Sequence, residues 1–207
     1  MLTFFHAPNS RSSAIATLID EMGISDWIET RLVSIPRQDG SGGRDPMNPH
    51  PEGKVPVLVH DGQVITERGA IILHLTSLFP DSGLAPKVGT PEWGAFVGWL
   101  TWYHAVMEPV LVFDFAKIDH PILGITFRGH DEVAARIRRA LERGPWLLGE
   151  TYSAADLLVH APYAWFKDAT PNDPLILDWV ERCKQRPARQ RNLAADAAQM
   201  TGASAAA

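Results

Sequence analysis

Cysteine is nearly absent: Cys183 is the single one in 207 residues. That excludes a disulfide framework, a Cys-rich zinc site and a C-x-x-C redox pair. Long apolar runs are missing too, and none approaches the roughly 18–20 residues that a membrane-spanning helix needs. Basic charge is not in excess. Nineteen Lys+Arg stand against 24 Asp+Glu, a formal charge of −5, so the basic face of a nucleic-acid binder is lacking. The start, Met1-Leu2-Thr3-Phe4-Phe5-His6, has neither the basic nor the long apolar region of a signal peptide. The eight histidines fall into no metal-ligand spacing such as H-E-x-x-H, and no metal is expected. These absences point to a cytoplasmic protein with no membrane or nucleic-acid partner. What is present, 45% hydrophobic and 21% charged residues, suits a globular chain of one large domain or two small ones.

Periodicity divides the chain. Leu2 to Phe5 is a short apolar run that stops at His6-Ala7-Pro8-Asn9-Ser10. Ala14, Ile15, Leu18, Ile19 and Met22 then recur at helical spacing, with Gly23 as the stop. Alternation over Trp27–Leu32 predicts a second strand, parallel to the first across a βαβ unit. Residues 35–53 are rich in proline and glycine and form a long loop of the kind that often carries function. Two apolar runs joined by Asp61-Gly62 predict a hairpin. Thr66 is the expected cap of the next helix. The order through residue 80 is β-α-β-loop-β-β-α.

Residues 81–90 read as a linker, and after them no strand signal is convincing. Thr90-Pro91-Glu92 opens a helix with a cap, an N1 proline and an acid in the first turn. Trp93, Phe96, Leu100, Tyr103 and Met107 line one face of it. Val133, Ile137 and Leu141 mark a second helix, stopped by Gly144-Pro145. Ser153-Ala154-Ala155-Asp156 reads as a capping box, and Leu175 to Cys183 as a late helix that buries Cys183. From Ala194 the tail is nearly all small residues, a frayed helix or disorder. The expected architecture is an α/β domain over 1–80 and an all-α domain over 91–207.

Three features carry candidate chemistry, all at one end of the small domain. Asn9, Ser10 and Ser12 lie at the first strand-to-helix turn, where amide, hydroxyls and helix N-terminus suit an anion or thiolate, though Ser and Asn are also simply good caps. Val55-Pro56 puts a proline near the start of a strand, read either as a trans proline on an edge or as a cis bond that turns backbone N–H and C=O outward. Glu67-Arg68 at a helix N-terminus suits a zwitterion, or else merely complements the dipole. A Ser-His-Asp hydrolase is a weak alternative, with no G-x-S-x-G and no obvious acid to position His6.

The stretch Asn48-Pro49-His50-Pro51-Glu52-Gly53-Lys54-Val55-Pro56-Val57-Leu58 resembles the N-P-x-G-K-V-P-x-L signature of cytosolic glutathione transferases. Ile65-Thr66-Glu67-Arg68-Gly69-Ala70-Ile71 is similar to their I-x-E-S-x-A-I segment, Gly149–Asp156 to their G-x-x-x-S-x-A-D box, and Arg182–Pro187 to R-x-x-x-R-P. The resemblance implies a thioredoxin-like α/β N-terminal domain, an all-α C-terminal domain and a homodimer. It makes cis Val55-Pro56 the expectation and glutathione the co-substrate, bound by Lys54, Val55, Pro56, Glu67 and Arg68. A small apolar electrophile would lie between the domains against Pro8, Tyr103 and Met107. Ser10 is the first candidate thiolate donor, then Ser12 and Asn9, since the turn holds no Tyr or Cys. Two departures strain the pattern. Arg68 replaces the usual serine, and would either bind the γ-glutamyl carboxylate or point to solvent. His50-Pro51-Glu52 adds a residue to the loop. The resemblance leaves open conjugation, glutathione-dependent disulfide or peroxide reduction, and a non-catalytic binding role.

Overall fold

The computed structural model describes residues 1–205 and divides the chain into two compact units, Met1–Ser82 with Arg186–Ala207, and Gly83–Gln185. In the first unit, strands β1 (Leu2–His6), β2 (Ile28–Leu32), β3 (Val57–His60) and β4 (Gln63–Ile65) form one sheet in the order β2-β1-β3-β4. β1 runs parallel to β2 and antiparallel to β3, as the βαβ-then-hairpin reading requires. Every residue of β1 is buried, which is why the strand reads as a continuous apolar run rather than an alternating one. Asp61 and Gly62 have φ of 48° and 84°, the two positive values that a type I′ hairpin turn demands.

Helix α1 (Ser13–Glu21) packs on α2 (Arg68–Leu78), with Ile15, Leu18, Ile71, Ile72 and Leu75 fully buried. One expectation fails here. The residue before α2 is Glu67, not Thr66, and no side chain caps that helix. Glu67 has φ 66° and ψ 127°, a left-handed φ that costs a non-glycine residue about 1–3 kcal/mol.

The larger correction concerns the tail. Helix α9 (Pro187–Ala205) belongs to the first unit and packs on α1, not to an all-α domain spanning 91–207. The expected fray or disorder from Ala194 is replaced by helix through Ala205, and 206–207 lie outside the described residues. Ion pairs join the start of this helix to α1. Arg186 grips Glu21 with Nε at 2.7 Å from Oε1 and Nη2 at 2.6 Å from Oε2, and Arg191 forks onto Asp20 at 2.8 and 2.9 Å.

The second unit is helical: α3 (Pro91–Trp102), α4 (Glu108–Phe115), α5 (Pro121–Thr126), α6 (His130–Leu141), α7 (Ala154–Trp165) and α8 (Pro174–Lys184). Thr90 caps α3 by accepting from the Trp93 N–H at 3.3 Å, as expected. The single helix predicted through Met107 is instead interrupted by a π-helical turn over Tyr103–Met107. Pro109 supplies the reason. It has no N–H for the Ala105 carbonyl, and its ring would collide with that carbonyl in regular α geometry. Arg136 lies over Trp99 and Trp102 at 5.0 and 4.6 Å, so one cation covers both rings. No helix among the described residues is long and apolar enough to cross a membrane.

Candidate functional site

Antiparallel register places Phe5 opposite Val57, so the next step brings His6 beside Pro56. β4 ends at the same edge and leads into Glu67 and Arg68, while the parallel β2 delivers its own loop there. Three of the predicted features therefore converge on one end of the sheet. The Val55-Pro56 peptide bond is cis. Ala7, Val33, Val55 and Val57 share one buried cluster, which seats the first turn beside the cis bond.

The loop motif works through Asn48. Its amide donates to the Lys54 carbonyl at 3.0 Å and accepts from the His50 N–H at 3.0 Å, fixing the approach to Val55. Gly53 has φ 68°, and a Cβ there would meet Arg44 at 3.0 Å, so both conformation and space favour glycine. The added His50-Pro51-Glu52 residue is absorbed by His50 Nδ1 accepting from the Glu52 N–H at 3.0 Å. Lys54 is exposed and ion-paired with Glu52. The Glu52 carboxylate raises its ammonium pKa, with Glu67 adding to the effect and Arg11 opposing it.

Arg68 is buried, only 5% exposed, so the solvent-pointing alternative is overturned. Glu67 is exposed beside it. Tyr103 and Met107 are 1% and 0% exposed. Pro8 is half-buried, and its carbonyl accepts from Arg37 Nη2 at 2.7 Å.

The turn itself holds more than the sequence revealed. Ser10 Oγ, half-exposed, donates to the Ala7 carbonyl at 2.7 Å and lies 2.8 Å from Ser12 Oγ. Ser12 is fully buried and also accepts from the Ala7 N–H at 3.1 Å. His6 Nδ1 is 2.7 Å from Ser12 Oγ, and His6 Nε2 is 3.0 Å from Asp196 Oδ1. Asp196 comes from α9 and is 3% exposed. It accepts further from the Asn9 N–H at 2.9 Å and from Ser13 Oγ at 2.5 Å. Asn9, at φ 51°, thus serves through its backbone. The sequence offered no obvious acid to position His6; the structure supplies one in Asp196, the one charged residue after Arg191. That isolated charge in a run of small residues is the signal that could have found it.

Burial pushes the Asp196 carboxyl up, but the hydrogen bonds from His6, Ser13 and Asn9 together hold it below the ordinary aspartate value. A depressed native pKa contributes stability above the unfolded value of about 3.9 and loses it as pH falls through the native one. Asp196→Asn should therefore lower Tm near neutrality and remove part of the wild-type fall in acid, read from Tm against pH for both proteins.

Residues 4–83 match the family model described as glutathione S-transferase, N-terminal domain. They form a domain of that family. The chain has the glutathione transferase fold: it is similar to a crystal structure of a glutathione transferase from Methylococcus capsulatus strain Bath, with 29% identity, a TM-score of 0.76, and 95% of this chain and 99% of that chain covered. A sphingomonad glutathione S-transferase complexed with glutathione, 24% identical with a TM-score of 0.74 over 94% and 98%, shares the fold. Among curated relatives, Disulfide-bond oxidoreductase YfcG of Escherichia coli K12 is 25% identical over 91% of this chain and 92% of its own length.

Proposed function

We propose that the chain binds reduced glutathione at this turn and transfers its thiolate sulfur to a small apolar electrophile. The observation that carries the reading is the convergence of the Ser10 hydroxyl, the cis Val55-Pro56 backbone and the Glu67-Arg68 helix start on one end of a glutathione S-transferase-type sheet. In this reading the Val55 backbone pairs with the cysteinyl backbone of the peptide, a short case of strand addition. Lys54 approaches the glycyl carboxylate, Glu67 takes the γ-glutamyl ammonium, and the Arg68 guanidinium takes the γ-glutamyl carboxylate as a two-pronged donor. Ser10 is the outermost hydroxyl of the turn and donates to the thiolate, while Ser12 behind it and the Asn9 backbone hold the turn in place. Pro8 remains as apolar lining. A free thiol has a pKa of about 8.5, and lowering it two units takes about 2.7 kcal/mol of preferential stabilisation. One charge-assisted hydrogen bond of about 1.5–3 kcal/mol, with the helix N-terminus, supplies that.

A second reading uses the same bound thiolate to reduce a disulfide. The similarity to YfcG along 91% of the chain favours it. The absence of cysteine from residues 1–182 fits both readings, because the thiol comes from the ligand. The homodimer and the cytoplasmic location belong to the same proposal and are checked by light scattering and by fractionation.

The deciding experiment is calorimetric titration with reduced glutathione at neutral pH, followed by parallel assays of electrophile conjugation and disulfide reduction. Saturable binding with conjugation supports the first reading, and reduction without conjugation the second. No heat at millimolar ligand refutes both and leaves a non-catalytic role. Ser10→Ala should slow the thiol chemistry about 10- to 100-fold, the loss of roughly 1.4–2.7 kcal/mol, with binding changed by a few-fold at most. Equal activity would remove Ser10 from the role.

A further inference from the structure

The chain of contacts behind Ser10 ends on an ionised carboxylate, and this sets the direction of its protons. Asp196 accepts from three partners and its carboxyl is held ionised. His6 Nε2, 3.0 Å from Oδ1, must therefore carry a hydrogen. In the neutral imidazole that leaves a lone pair on Nδ1, aimed at Ser12 Oγ 2.7 Å away. Ser12 already accepts the Ala7 N–H and lies 2.8 Å from Ser10 Oγ. The order Asp196–His6–Ser12–Ser10 thus runs without a break from a buried anion to a half-exposed hydroxyl.

This is the acid-base-hydroxyl grouping of a hydrolase triad, with the two ring nitrogens exchanged. It does not make Ser12 a nucleophile, because Ser12 has 0% exposure and its oxygen is enclosed by Ala7, His6 and Ser10. The accessible end is Ser10. We propose that His6, oriented by Asp196, is the proton acceptor for a thiol bound at Ser10, with Ser12 and Ser10 as the relay. This inference rests on the glutathione reading above. The S–H bond breaks as its hydrogen passes to Ser10 Oγ, Ser10 turns its own hydrogen from the Ala7 carbonyl to Ser12 Oγ 2.8 Å away, and Ser12 gives its own to His6 Nδ1. The products are a thiolate and an imidazolium, with no change of oxidation state and no proton lost to solvent. The imidazolium is paired with Asp196. Its new Nδ1–H turns the hydroxyls outward, so that Ser10 donates to the thiolate it has helped to form.

The other charged groups near the turn are Arg37, on the carbonyls of Pro8 and Asn9, and Arg11, Lys54 and Glu67, which interact across its exposed side. Phe4 stacks on the His6 ring at 5.6 Å and carries no charge. Asp196 is therefore the ionisable group in direct contact with the His6 ring. His6 and Asp196 are positioning and proton-holding residues rather than groups that touch the substrate.

Proton counting tests this. Glutathione is titrated into the full chain in buffers of different ionisation heat, with thiolate formation followed by ultraviolet absorbance. The wild type should form thiolate with close to no proton released to buffer. His6→Gln should need a pH higher by about one to two units to form the same thiolate, equivalent to about 10- to 100-fold less at a fixed pH below both pKa values. Its kcat/KM profile should shift with it. S-methyl glutathione has no thiol proton, and its affinity should be equal for the two proteins. Ser12→Ala, which interrupts the relay but spares the His6–Asp196 pair, should reproduce the shift if His6→Gln does not fold. Release of one proton per thiolate by the wild type, or an unshifted profile in the variants, overturns the relay while leaving glutathione binding intact. No binding of glutathione or its S-methyl form overturns the glutathione reading and the relay together.

Discussion

Replacing Asp156 by Ala is expected to lower the thermal midpoint by about 6–12 °C, the effect of roughly 3 kcal/mol at about 2–4 °C per kcal/mol for a chain of this size. Asp156 is fully buried in the second unit. Its Oδ1 accepts from the Leu147 N–H at 2.9 Å and from Trp179 Nε1–H at 3.0 Å. Its Oδ2 accepts from the Ser153 N–H at 3.0 Å and the Ser153 hydroxyl at 3.1 Å. One carboxylate thus closes the capping box of α7 and ties it to α8 and to the loop after α6. Alanine leaves four donors without an acceptor in a dry site, where each unmade bond costs about 1–3 kcal/mol before relaxation. An asparagine side chain would keep one acceptor oxygen but turn an NH2 group toward two donors, so Asp156→Asn should recover little of the loss. Scanning calorimetry of the wild type and the two variants checks the order, with the asparagine variant only slightly above the alanine one.

Asp156 and Asp196 respond to pH with opposite sign. Burial outweighs the four donors at Asp156 and raises its carboxyl pKa, so its pH-linked contribution is present below the unfolded value of about 3.9 and fades as pH rises through the native one. Donors outweigh burial at Asp196, and its contribution is lost in acid. The difference follows from surroundings. Asp156 lies among apolar helices, whereas Asp196 sits against the polar turn of His6, Asn9 and Ser13.

Much of the fold is legible because its signals are local. Apolar spacing marks α1 and α6, Asp61-Gly62 marks the hairpin, and Thr90 and Ser153 mark their helices through bonds within three residues. The Asn48–Pro56 motif is equally local, and Asn48 bridges its own loop. What escaped are long-range or competing effects. The apolar stripe from Trp93 to Met107 conceals the π turn because Pro109 alters the backbone bonds without changing the spacing. Thr66 has cap chemistry, but the chain turns one residue later at the strained Glu67. His6 and Asp196 lie 190 residues apart, and no local pattern joins them. The alanine-rich composition that suggested a frayed tail instead describes a helix whose few charged residues form its anchors.

Those anchors define the second large effect. Arg186→Ala is expected to cost about 2–4 kcal/mol, because it strands the Glu21 carboxylate, whose side chain is 3% exposed, after removing its bidentate partner. The double variant Arg186→Met with Glu21→Gln should recover more than half of that, since the buried charge is gone with the cation. Arg191→Ala, whose guanidinium is mostly exposed where it forks onto Asp20, should lower Tm far less than Arg186→Ala, because solvent screens the pair. Arg186 stands at the head of α9, and Asp196 follows it by just under three turns of helix. Loosening the head therefore releases the carboxylate that orients His6, and the turn loses its acceptor without a change in any residue of the turn. Limited proteolysis should cut Arg186→Ala near the start of α9 faster than wild type, with the double variant restoring resistance. Equal cleavage and equal Tm in Arg186→Ala and wild type would show that the helix is held without this ion pair.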